Sequence, residues 1–125
     1  MEIIKTTTNN KVDIVRATNT TNTIQNIDSD KVLTLKDVII YSTTDEEGKE
    51  VEVTALKVEV DNEMIFVNSI SKTVKQSVDT ILSVFSEEEI KSGIPIRVLS
   101  DTSKGGRTFY HIDLVEKWAS KLIIQ

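Results

Sequence analysis

The chain has no cysteine, one histidine and one proline, and only 5% of its residues are aromatic. Without cysteine there are no disulfides and no thiolate metal sites, and a single histidine rules out a histidine-cluster metal centre. Only four glycines occur, two of them adjacent at Gly105-Gly106. The G-x-x-x-x-G-K-[ST] spacing of a phosphate-binding loop is absent. No apolar run approaches the length of a membrane span. The opening MEIIKTTTNN has no signal-peptide core, so the expected location is a cytoplasm. No basic excess is present either: the 125 residues carry a formal net charge of −5. An acidic total does not exclude nucleic acid, but it requires that any such surface be locally basic.

What is present is one domain's length of chain with a modest apolar content of 38%. Residues 1–31 form an arm rich in Thr and Asn, expected to be partly ordered, with an edge strand near Val12 to Ala17. Val32 to Thr44 reads as a long strand. Its apolar phase slips between Leu33/Leu35 and Val38/Ile40, which requires a bulge or sharp bend. DEEGKE, Asp45 to Glu50, is a turn, and Val51 to Val60 alternates as a second strand. Asp61-Asn62 marks a tight turn into a third strand, Glu63 to Ser69.

The period then changes. Ile70, Val74, Val78, Ile81, Leu82 and Phe85 fall on one helical face. Thr73 with Gln76, or Ser69, or Ser71 offers the cap, and Ser86 with Glu89 caps a second short helix through Lys91. Gly93 and Pro95 stop it. Ile94 to Asp101 is a fourth strand and Thr108 to Val115 a fifth, joined by the SKGGR turn. On the fifth strand Tyr110, Ile112 and Leu114 share one face and Phe109, His111 and Asp113 the other; if Tyr110 enters the core, Phe109 and His111 point outward. The end, EKWASKLIIQ, is expected to form a short helix or tail over residues 116–125, with Trp118 and Leu122 on one side.

Three strands, a helix and two strands is the order of an OB-fold. The chain is therefore expected to be mainly β, a five-stranded OB-fold-like barrel over residues 32–115. An α+β meander with a packed helix is the competing architecture. An OB-fold binds single strands or oligosaccharides across its second and third strands, flanked by the loops after strands one and four. Here those loops are Thr43–Glu50, which is acidic, and Asp101–Arg107, which carries Lys104 and Arg107. The glycines of the second loop serve the hairpin turn in any case. Single-strand binding also needs flat side chains for bases to stack on. Phe109 and Tyr41 are the preferred ones, with Phe66 on the third strand. Lys57, Arg97 and His111 complete the candidate nucleic-acid-binding set. No nucleophile–base constellation supports an enzyme, and no cofactor is implied.

The run from FVNS through the helix TVKQSVDTILSVF to GIPIRVLSDTSKGGRTFYHIDLV resembles small single-stranded-DNA-binding proteins of bacteriophages of Gram-positive hosts. In those proteins an I-x-V strand leads into a Ser-Lys-x-Gly-Arg hairpin and a final aromatic-bearing strand. Here these are Ile96 to Arg107 and Phe109 to Leu114. The resemblance covers roughly residues 33 to 115 and leaves the arm unmatched. It implies sequence-tolerant coating of single-stranded DNA in phage or plasmid replication, in the cytoplasm of a bacterial host. Replication proteins are then candidate partners. Many such proteins end in an acidic recruiting tail, whereas this chain ends in KLIIQ, which points to packing or oligomerisation. Two other functions fit the residues. One is an acidic protein-binding module that docks or inhibits a partner through Asp45, Glu46, Glu47, Glu50 and Glu52. The other is an assembly protein whose arm pairs with a neighbour's edge strand.

Overall fold

The computed structural model describes residues 1–115, so the helix expected over 116–125 lies outside the described residues. Ten short elements follow one another: β1 (Glu2–Thr6), α1 (Lys11–Asn19), a 3-10 turn (Ile24–Asn26), β2 (Leu33–Thr44), β3 (Glu50–Val60), β4 (Glu63–Ser69), α2 (Lys72–Val84), α3 (Glu87–Ser92), β5 (Ile94–Thr102) and β6 (Thr108–Leu114). The strands form one antiparallel sheet in the order β4-β3-β2-β5-β6, with β1 also on β2. From β2 onward the order is that of the expected OB-like barrel. The sheet is not closed, because β4 and β6 do not pair.

β2 makes this possible by serving two partners on one edge. Its first residues pair with β5, Leu33 opposite Ile96 and Leu35 opposite Ile94. Its second half pairs with β1, from Thr6 opposite Ile39 to Glu2 opposite Ser42. Between the two halves the register with β3 shifts at Leu35/Asp37, the bulge that the slipped apolar phase demands. The bulge returns Leu33, Leu35, Val38 and Ile40 to one core. The β3–β4 turn places both Asp61 and Asn62 at positive φ, as a two-residue hairpin connection requires.

α2 plugs the barrel with Val74, Val78, Ile81 and the adjoining Phe85. Ser71 is the cap, its side chain accepting from Val74 N–H. Thr73 instead reaches across to β6, where its hydroxyl donates to Tyr110 O at 2.6 Å. One turn on, Ser77 Oγ accepts from Ile112 N–H at 3.2 Å. Two hydroxyls at i and i+4 thus satisfy the β6 edge that β4 leaves unpaired. Ser86 and Glu89 form the expected reciprocal capping box on α3.

The arm departs from expectation. Its strand is Glu2–Thr6, and the stretch near Val12 to Ala17 is a helix rather than an edge strand. Asn10 caps it, accepting from Asp13 N–H at 3.0 Å. Ile14 and Ala17, one turn apart, pack onto the sheet, and that contact overrides the β preference of the local residues. Among the described residues no helix is long and apolar enough to cross a membrane.

Candidate nucleic-acid interface

Two outward surfaces hold the sequence-predicted site residues, and they differ in access. The first is the β5–β6 hairpin. Its register sets Arg97 opposite Asp113, Leu99 opposite His111 and Asp101 opposite Phe109. Because side chains alternate across a strand, these six share the outer face, while Ile96, Val98 and Ile112 enter the core. Phe109 is 37% exposed, unusually open for a large aromatic ring on a strand. Lys104 and Arg107 are exposed at the tip and make no ion pair among the described residues. The carboxylates of this face sit on the strands, and His111 Nδ1 lies 3.5 Å from Asp101. Positive charge is therefore concentrated at the tip. Arg97 is half-buried, and its Nε finds no hydrogen-bond partner among the described residues.

The tip is closed by Ser103, whose backbone N–H donates to Arg107 O at 2.8 Å and whose hydroxyl accepts from Arg107 N–H at 3.2 Å. Gly106 donates to Ser103 O and has φ +83°, so the turn needs it. Gly105 is different. Its φ lies outside that left-handed range, and an added Cβ meets nothing nearer than Ser103 Oγ at 3.9 Å. Gly106→Ala should cost about 1–2 kcal/mol in urea denaturation. Gly105→Ala should stay within about 0.5 kcal/mol of the parent. If a ligand backbone approaches at Gly105, the alanine variant loses affinity while keeping its stability.

The second surface is the outer face of β2, β3 and β4. The registers set Tyr41 opposite Val53, and Lys57 between Asp37 and Phe66. Tyr41, Lys57 and Phe66 share this face, but α1 lies over it. Tyr41 is 5% exposed and Phe66 8%, in a small second core with Ala17, Ile39, Val53, Ala55 and the half-buried Ile14. Lys57 Nζ contacts the Asp13 carboxylate of α1 at 3.0 Å. The apolar run VIIY, 38–41, carried a signal of this cover, because a strand wetted on one side alternates and one buried on both does not.

Burial pushes the Tyr41 phenol above its ordinary value of 10.0. The folded chain then holds that proton more tightly than the unfolded chain. Stability is fully present below about pH 10 and falls as pH rises through the folded value. In a Tyr110→Phe variant, which leaves Tyr41 as the only tyrosine, tyrosinate absorbance should rise later than in the urea-unfolded chain.

In the acidic loop Asp45 is occupied within the turn itself. Asp45 Oδ1 accepts from both Glu47 and Lys49 N–H at 2.9 Å. Glu52 pairs with Lys75, whose ammonium is raised above its ordinary value by Asp79 and Glu52. Lys31 is likewise tied to Asp61 at 2.6 Å. Among the described residues no three His, Asp or Glu side chains converge as a metal site.

Comparison with known proteins gave no match among curated proteins and none among solved structures. The family model for phage single-stranded DNA-binding proteins of the Phi29 type matches residues 2–115, a stretch that takes in β1 and α1 as well as the barrel. The chain belongs to the Phi29-type phage single-stranded DNA-binding protein family.

Proposed function

We infer from membership in that family that the chain binds single-stranded DNA in phage replication. We propose that this binding is sequence-tolerant and non-enzymatic, and that it begins at the β5–β6 hairpin. Lys104 and Arg107 draw the phosphates to the tip, and Phe109 offers its ring to a base on the strand that leads away from them. His111 and Arg97 continue the same outer face. The observation that carries the reading is the exposed Phe109 on the strand next to two exposed cations, in a chain with few aromatics and a negative total charge.

Fluorescence anisotropy of labelled oligo-dT and of a mixed-sequence strand of equal length, at low salt, tests it. Both strands should bind at micromolar protein with similar affinity. Failure of both to bind sinks the reading and favours the acidic-module alternative, whose surface would then be Glu46, Glu47 and Glu50. A large preference for one strand removes the tolerance. Replication proteins as partners, self-association and a host-cytoplasm location belong to the same proposal. Size-exclusion chromatography with and without DNA checks the self-association.

A further inference from the structure

We propose that α1 is a displaceable cover: it occupies the face of β2, β3 and β4, where an OB-fold takes a single strand, and DNA that follows the path beyond the hairpin displaces it. This rests on the hairpin reading above and extends the path beyond it.

The covered face has the composition a single strand needs. Lys57 sits directly opposite Phe66 in the β3–β4 register, with Tyr41 on the neighbouring β2. What α1 places there matches a nucleotide group for group. Its Asp13 carboxylate holds the Lys57 ammonium where a phosphate would, with side-chain exposures of 13% and 23%. Its Ile14 and Ala17 cover the aromatic rings where bases would stack. Exchange of α1 for DNA thus replaces an anion by an anion and an apolar cover by a flat one. Neither Lys57 nor the rings are left exposed at the end.

α1 is also weak by itself. It has nine residues, a length at which a helix does not persist without packing. Val12, Ile14, Val15 and Thr18 are β-branched, and only Ala17 is fully buried. Val12 and Val15 face solvent. The chain on either side of it is anchored independently. Before it, Thr7 N–H donates to Val38 O at 2.9 Å and the Thr7 hydroxyl donates to the buried Asp37 at 2.8 Å. After it, Asn68 N–H donates to Asn22 O at 3.0 Å, Asn68 Nδ2 donates to Thr20 O at 3.1 Å, and Ile24 is fully buried in the main core. The segment between these anchors can lift as a strap while β1 and the barrel stay folded.

Variants at the solvent-facing positions test this without touching the covered face. Val12→Ala with Val15→Ala strengthens the helix, and Val12→Gly with Val15→Gly weakens it. The apparent affinity for oligo-dT scales with the open fraction. The alanine pair should bind about threefold more weakly than the parent and the glycine pair about threefold more tightly. In the parent chain, hydrogen exchange at the α1 amides should accelerate when oligo-dT saturates the protein. Equal affinities across the three proteins overturn the proposal, as does an α1 that is unchanged or protected in the complex. A parent that binds no oligo-dT overturns the hairpin reading and this one together, whereas normal binding with an undisturbed α1 overturns this one alone.

Discussion

Replacing Lys104 and Arg107 together by glutamate should weaken oligo-dT binding at least ~10-fold at low salt, with the fold intact. The two cations stand at an exposed tip whose closure depends on Ser103 and the backbone of Gly106 and Arg107, not on the Lys104 or Arg107 side chains. Surface changes of that kind shift stability by no more than about 0.5 kcal/mol. Binding should suffer more than stability because phosphate contacts release counterions. For a single strand each lost contact flattens the plot of log affinity against log salt by about 0.7, so the double variant should be shallower by about 1.4. Anisotropy titrations at several salt concentrations give both numbers. A variant with weakened binding but an unchanged slope would mean that Lys104 and Arg107 do not meet phosphates. Phe109→Ala is the complementary case: affinity falls by about 1–3 kcal/mol and the slope stays.

The largest stability effect is expected far from the tip, at Gly93. This residue ends α3 with φ +109°, and a Cβ there would stand 2.7 Å from Thr34 Cγ2 on β2. Gly93→Ala therefore combines backbone strain of about 1–2 kcal/mol with overpacking of about 1–3 kcal/mol. A total near 3 kcal/mol should appear in urea denaturation, with a fall in Tm of roughly 10 °C. Thr34→Ser removes the colliding methyl and should recover the overpacking part but not the strain. Additivity of the two substitutions would show that the close approach is not the cause. The position matters for function because Ile94, the next residue, pairs with Leu35 and so sets where β5 and its hairpin leave the barrel.

Most of the barrel was legible because its signals are local. Alternation in 51–60 and 108–115, the period change at Ile70 and the Ser86/Glu89 pair each fit within a few residues, and the structure has β3, β6, α2 and the α3 capping box there. The phase slip in β2 became a bulge for the same reason. The arm was not legible. Ile3 and Ile4 are too few to show a period, and the apolar contact of α1 with the sheet rests on Ile14 and Ala17. Its helix depends on a surface that the chain builds later. The burial of Tyr41 left a trace in the unbroken apolar run 38–41, but the burial of Phe66 and the pairing of Lys57 with Asp13 follow from that contact and left none. The hairpin glycines looked alike in sequence, but only backbone angles separate the required Gly106 from the permissive Gly105.

Whether DNA meets the hairpin face is decided most directly by cross-linking. Oligo-dT irradiated in complex with the full chain, then digested with trypsin, reports the peptide that carries the nucleotide. The expected adduct lies on the peptide that begins at Thr108, which contains Phe109, Tyr110 and His111. Adducts confined to other peptides, with none on this one, would contradict the hairpin as the place where single-stranded DNA binds.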